Sequence, residues 1–600
     1  MLRSVSSHRL VFCLLATAGP ALVSPACSKR TSFDDTDGGL SQFGDASSDP
    51  VAPKACGIHC SPDLKQVLTG CEGAEQIVAS CNPDQGCGDG ECVEACTAAE
   101  LTKGSAGCDF WATMPDSIEY RGGCFVAMIA NTWDRAVGIS AGFGDTPLDI
   151  SKSTYTVSRQ DSDPVYRRLD GPLPPGQVAI VFLAQDLTNT ATGPMAPTRC
   201  PTSVTPALSV DPTRHGTGKS KAFHIETDAP ISAYSMYPYG GADSFMPTAT
   251  LLLPVSSWSK NYIAVTPFDF GETRKPRSLQ IVANQDDTEV RMKPTAEVAS
   301  GPGVAGATTG VVQTWTLAKG EVLQFLQSPL GGSPIETSKP VGMFGGSECT
   351  ELPTPYCDVL QQQIPPFAQW GTEYAVVPFR PRMASFSADA REKVPYSIVG
   401  AVDGTTLTYE PSRPRDAPET IGAGEVASFI TDTLFVVKSQ DSKHPFHVNV
   451  YMTGATYAGG VDSGTRTFGD PDFVNVPPVD QYLDRYVFFT DFTYPETALT
   501  IVRRKTTNGF VPVELECAGE LTGFQPLGTS GLYEFAWIKL TSGYVGQTFS
   551  KGQCGYGRHE AHSTGPFAVT VWGTGIAASY GYVGGTSLRT VNDAPPPVVR

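Results

Sequence analysis

The stretch from Thr227 to Tyr237 reads TDAPISAYSMY: a polar run led by threonine, a proline, then small and apolar residues in alternation. Alternation of this kind marks a half-buried strand, and proline stands well at a strand's first residue because no ladder hydrogen bond is lost there. The same phrase recurs as TSKPVGMFGG from Thr337, SKHPFHVNVYMTG from Ser442 and STGPFAVTVWGTG from Ser563. Pro230, Pro340, Pro445 and Pro566 are its shared landmark.

Other landmarks recur in the same order. Downstream of the first three prolines comes Pro-x3-aromatic-x3-Tyr: PVSSWSKNY (Pro254, Trp258, Tyr262), PFAQWGTEY (Pro366, Trp370, Tyr374) and PVDQYLDRY (Pro478, Tyr482, Tyr486). Each leads into an apolar strand and then a second strand with a polar turn, as at Asp403-Gly404 and Asn508-Gly509, dipeptides that favour tight turns. Upstream lie LPPGQV, LAKGEV and IGAGEV, ending at Val178, Val322 and Val426. Landmarks of fixed order and spacing predict an all-β protein of about four tandem β-sandwich-like repeats, preceded by a small disulfide-rich module. The repeat region covers 108–590, in units 108–276, 277–392, 393–495 and 496–590. Trp258, Trp370 and Tyr482 recur because each unit needs the same plug between its sheets. The first unit is lengthened by an insertion between about Asp145 and Gly218. Rich in Pro, Thr and Ser and carrying Cys200, it reads as long surface loops and a place for ligand contact.

The chain has 600 residues, too many for one core, with Gly 61, Pro 49 and only 17% charged residues. Its net charge of -18 argues against nucleic acid, whose phosphates need a basic face. Residues 1–26 carry Arg3 and Arg9, an apolar run from Leu10 to Val23 and small residues, the pattern of a signal peptide. Cys27 directly after it resembles a bacterial lipoprotein cleavage site, which makes Cys27 the expected lipid anchor and the only link to a membrane. Residues 27–53 form a flexible acidic linker. The chain is expected to be exported, at the outer membrane or cell surface as a lipoprotein, otherwise secreted.

Sixteen cysteines are present. Seven crowd between Cys56 and Cys96, giving a disulfide module over 54–107, and the odd count forces one member to pair outside. CGIHC and CGDGECVEAC lack the two-residue knuckles of a zinc site. Proximity pairs Cys349 with Cys357 and Cys517 with Cys554. Catalytic constellations are poor: there is no Gly-x-Ser-x-Gly, His-Glu-x-x-His or phosphate-binding glycine loop. His559 and His562, flanking Glu560, fall in an expected surface loop. His444 and His447 straddle a landmark proline, while Asp286, Asp287 and Asp403 fall in turns. No catalytic residue, metal or cofactor is expected.

KPVGMFGGSECTELPTPYCDVLQQQIPPFAQWGTEYAVVPF, Lys339 to Phe379, resembles the core motif of the N-terminal domain of the IgGFc-binding protein family. Cys349, Cys357, Asp358, Gln363, Pro366, Trp370, Gly371 and Tyr374 carry the likeness, which extends loosely over Cys108 to Gly585. The resemblance implies a bacterial, lipoprotein-like member. Together these readings lead to a non-catalytic adhesion or ligand-binding protein that contacts proteins or glycans through its inter-strand loops. An envelope scaffold is the alternative, and a secreted hydrolase a more distant one.

Overall fold

The computed structural model describes residues 57–600 apart from 72–74, 119–120, 161–162, 193–195, 245, 268–275, 353–356, 383–390, 456 and 458–467. The signal peptide, Cys27 and the linker at 27–53 lie outside the described residues. Among those described, strands dominate, and no helix is long and apolar enough to cross a membrane.

The landmark prolines explain the architecture, though in a different role from strand entry. Phe223–Tyr237 is one long strand that changes partners in its middle. Its first half pairs with Gly107–Ala112 and Ile139–Phe143. Its second half, from Ile231, pairs with Phe125–Asn131 and Thr248–Leu251. Pro230 lies at the crossover, where a missing N–H costs no ladder bond. Thr227 Oγ1 donates to Ala229 O at 2.9 Å beside it, and Thr337 Oγ1 does the same to Lys339 O at 2.7 Å in the next copy.

Pro334–Glu351 and Gly557–Gly575 repeat this long strand. In the third copy it is cut in two, Phe435–Ser439 and Phe446–Met452, so only Pro445 precedes a strand's first residue. The cut exposes the plan: two separate four-stranded sheets, one taking each half. The other copies use the same pairings, joined through the unbroken strand. Every copy after the first opens with the strand that follows the Pro-x3-aromatic segment, Ser259–Ile263, Glu373–Val376 or Leu483–Thr490. The copies therefore start one strand earlier than the ranges 277–392, 393–495 and 496–590.

Each copy ends on a short closing strand: Thr248–Leu251, Cys357–Gln363, Asp472–Asn475 and Ala578–Val583. These four lie side by side, and the last returns to the first. The cores close in the same order. Phe125 and Phe223 of the first copy share a core with Val282 and Phe344 of the second; the second reaches Trp370 and Val399 of the third. The third packs on Trp572 and Val583 of the fourth, and the fourth joins Val126, Phe182 and Tyr234 of the first. Ser105 N–H donates to Thr586 O at 3.0 Å, and Thr586 N–H returns a bond to Ser105 Oγ at 3.1 Å. The four sandwiches form a ring in which the lead-in to the first copy meets the residues that follow the last closing strand.

The insertion differs from the loops expected of it. It contains a hairpin, Thr154–Gln160 with Asp163–Arg168, and the strand Val178–Ala184, which corresponds to Glu321–Gln327 and Val426–Thr431 of the next two copies. Cys200 is bonded to Cys124, which fastens the remaining loop to the sheet. In the N-terminal module Cys60 is bonded to Cys87 and Cys81 to Cys92, while Cys96 reaches out to Cys108. That last bond ties the module to the first copy's opening strand.

Candidate functional site

The landmark side chains are committed to packing. Trp258, Trp370 and Tyr482 follow one-turn helices at the junctions between copies, and all three are buried. Trp258 Nε1 donates to Leu253 O and Trp370 Nε1 to Pro365 O. Gly342 leaves the space that Trp258 fills, since a Cβ there would meet the indole at 2.6 Å. The tyrosines ending the motif, Tyr262, Tyr374 and Tyr486, donate to Val341 O, Phe446 O and Phe567 O just past the landmark prolines. Cys349 is bonded to Cys357, and Cys517 to Cys554.

The histidines singled out in the sequence divide. His559 sits on the long strand, not in a loop, because that strand begins well before Pro566. Its ring is buried between Glu516 Oε1 at 2.8 Å and Thr490 Oγ1 at 3.1 Å. A strand turns residues at odd offsets to opposite faces, and His562 is exposed. Glu516, Cys517 and His559 have ligand-like spacing, but Cys517 is consumed by its disulfide. His444 bonds Asp441 in a turn at 2.7 Å, and Asp403 and Asp286 hold the N–H groups of Ala423 and Lys319. His447 is buried against Trp370, and burial pushes its pKa down to about 4.

Sequence reasoning missed a second set. His215 lies between Asp116 Oδ1 at 2.7 Å and Asp211 Oδ2 at 3.2 Å, and hydrogen bonds to these carboxylates raise its pKa to about 9. An imidazolium held this way cannot serve as a base near neutral pH. Its task is structural: Asp116 also takes Gly216 N–H at 2.8 Å, and Gln324 Nε2 donates to Arg214 O and Gly216 O. The loop after Cys200 is thereby pinned to the second copy.

Two hollows remain. The first, of about 50 Å³, lies on the ring axis. Leu251, Gln363, Asn475 and Val583 line it, each facing the fourth residue after its copy's landmark proline. Gln369 and Gln481 close it: Gln369 Nε2 donates to Ser257 O, and Gln481 Nε2 to Gln369 O and Arg589 O. It has room for a few water molecules and none for a larger ligand.

The second is an open cleft of about 440 Å³ on the first copy. Ile139, Ile150 and Leu169 give it an apolar floor, and Ser140, Asp149 and Asp170 a polar rim. The Ser151 hydroxyl and N–H hold the Asp149 carboxyl below its usual range, and Asp170 lies 3.0 Å from Arg168 Nε. No lysine or arginine lines the cleft itself, though Arg168, paired with Asp170, and Lys152, whose charge acts on Asp149, stand at its edge. It is framed by the Thr154–Arg168 hairpin, the element that sets this copy apart from the other three.

Residues 248–573, more than half of the chain, match the model of the family described as IgGFc binding protein. The match runs from the closing strand of the first copy into the long strand of the fourth. No curated protein and no solved structure matches the chain.

Proposed function

This chain belongs to the IgGFc binding protein family, and from that premise we propose an exported, non-catalytic adhesion protein that engages a ligand through the first copy. The carrying observation is where the cleft lies. Most of the ring repeats one plan and is spent on its own packing, whereas the cleft lies at the base of the hairpin that the other copies lack, lined by Thr154 and the residues just before and after that hairpin. An aliphatic floor edged by two carboxylates suits a protein surface that presents a basic side chain above apolar ones. No aromatic ring lines the cleft as a stacking platform, which favours protein over glycan as the ligand. Disulfides through both the module and the ring fit an oxidising exterior, where Cys27 serves as lipid anchor after removal of residues 1–26.

The test is binding of the exported chain to arrays of surface proteins, glycoproteins and polysaccharides, beside the Asp149→Ala/Asp170→Ala variant. Capture of a protein by the native chain, weakened at least tenfold in the variant, supports the reading. Retention on polysaccharide alone moves the ligand to the glycan class. Silence on every array, with a single stoichiometric envelope partner crosslinked in cells, replaces adhesion by a scaffold. Mass spectrometry of the mature N-terminus decides the anchor.

A further inference from the structure

At the end of the ring axis away from the glutamines, two of the closing strands carry carboxylates at their start. Asp472 is the first residue of the third copy's and Asp358 the second of the second copy's, Asp470 occupies in the third copy the place of Asp358 in the second, and Asp491 follows the fourth copy's opening strand. Asp358, Asp472 and Asp491 are all but fully buried. In each of the three, Oδ2 has no hydrogen-bond partner.

Neutral oxygens nearby are orphaned too. Thr350 is the cross-strand neighbour of Asp358, which places both side chains on one face, and its buried Oγ1 has no partner. The buried hydroxyl of Tyr494 is likewise unpartnered. The Tyr494 ring packs 4.7 Å from Tyr580, whose hydroxyl accepts the Asp491 N–H at 3.0 Å. Tyr494 feels the charges of Asp491, Asp472 and Asp358 together, and Asp358 those of Asp470 and Asp472, so these groups occupy one neighbourhood.

Among the described residues no lysine or arginine pairs with any of the three aspartates. An ionised carboxylate in such a place costs several kcal/mol unless something neutralises it. Asp472 and Asp491 take the N–H groups of Phe473 and Thr493 through Oδ1, and the five oxygens that stay orphaned form the ligand set of a hard cation. No three carboxylates here come close enough together to hold one ion by themselves. The site therefore needs two carboxylates completed by neutral oxygens, a composition that calcium accepts and a compact octahedral ion does not favour.

We propose that this end of the ring axis binds a calcium ion, held by Asp358 and Asp472 with Thr350 Oγ1, main-chain oxygens and water, and with Asp491 and Tyr494 beside it. Such an ion joins the second copy to the third, with the fourth alongside, and acts as a clamp on the ring. Sites of this kind in extracellular modules have dissociation constants of roughly 10⁻⁴ to 10⁻³ M, so the clamp is set outside the cell and released inside it.

The test uses the full exported chain, stripped of metal at pH 7.5. Calcium is expected to raise Tm by several degrees, with EDTA reversing the rise and magnesium giving a smaller one. Terbium, excited through nearby tyrosines, is expected to luminesce and be displaced by calcium. Asp358→Asn/Asp472→Asn should abolish both signals. Thr350→Val, which leaves every charge in place, should weaken calcium several-fold and covers the case in which the double variant fails to fold. An unchanged Tm at saturating calcium with no terbium signal overturns the proposal. So does an asparagine variant that melts higher than the native chain and keeps its response to calcium, which would show protons to be the neutralising species.

Discussion

The two ends of the ring axis are made from the same four strands and solve the same problem in opposite ways. The strand Cys357–Gln363 starts beside Asp358 and finishes on Gln363; the strand Asp472–Asn475 starts on Asp472 and finishes on an asparagine. At the amide end each side chain both donates and accepts, so the copies chain to one another. Gln362 Nε2 reaches Ala249 O and Gly581 O, Gln363 Oε1 takes Leu253 N–H, and Asn475 Nδ2 reaches Gln363 O. At the carboxylate end the aspartate side chains, when ionised, only accept, and their Oδ2 atoms find no partner on the neighbouring strands. Closure of the ring is thus internal at one end and dependent on solution conditions at the other.

The largest expected effect breaks the self-sufficient end. Gln481 Oε1 takes Ser587 Oγ and Arg589 N–H, while its Nε2 donates to Gln369 O and Arg589 O. Gln481→Ala strands these buried partners and should lower stability by about 3–4 kcal/mol in denaturant melts. A loss near zero would mean that the chain's return to its start does not hold the ring together.

The carboxylate end should answer to pH instead. Burial raises the Asp491 pKa to about 6 from an ordinary 3.8. A folded pKa above the unfolded one means the contribution is fully present below about 3.8 and is lost as pH rises through 6. In metal-free protein, stability attributable to Asp491 should fall by roughly 2–3 kcal/mol across that window. Asp491→Asn should flatten the decline, and melts in chelator at pH 4, 5, 6 and 7 read it directly.

Both ends depend on features of unequal visibility in the sequence. The repeat was legible because packing imposes it: a proline at the sheet crossover, a large aromatic ring at each junction and a tyrosine tied past the proline all need a fixed residue type at a fixed distance. The crossover itself was not, because alternation looks the same on either side of Pro566 and hid the strand carrying His559. Ring closure was invisible, since Ser105 and Thr586 meet through backbone and one hydroxyl and leave no motif. The carboxylates were equally silent. Asp358 was visible only as one residue of the family motif and Asp472 drew no reading at all, and only closure of four copies brings them together.

A covalent change sharpens the contrast with less force. The bond between Cys349 and Cys357 spans the turn that places Thr350 opposite Asp358. Closing so short a loop stabilises by about 2.5 kcal/mol in the chain-entropy view. Cys349→Ser/Cys357→Ser should lose that amount and loosen the carboxylate end alone, while Cys124 and Cys200, 76 residues apart, should give the larger loss for the first copy. Hydrogen exchange confined to residues 348–360 would match this; exchange spreading to Gln369 and Gln481 would mean that the two ends open together.

The smallest effect tests the amide end's redundancy. Tyr374 lines the axial cavity; its hydroxyl donates to Phe446 O and accepts Gly371 N–H at 3.1 Å. The same pair of bonds recurs at Tyr262 and Tyr486, whereas the opening strand of the first copy carries Phe110 and has no hydroxyl to offer. One copy in four already stands without the tie, held instead by the Cys96–Cys108 bond at the same strand. Tyr374→Phe should therefore cost only about 1–1.5 kcal/mol, close to the net worth of a hydrogen bond with one buried N–H left over. The same change combined with Cys96→Ser/Cys108→Ser should add to it without coupling, because the two sites lie in different copies. A loss well beyond the sum would show that the ring senses each opening strand through its neighbours, and that closure is a property of the whole array rather than of its junctions one by one.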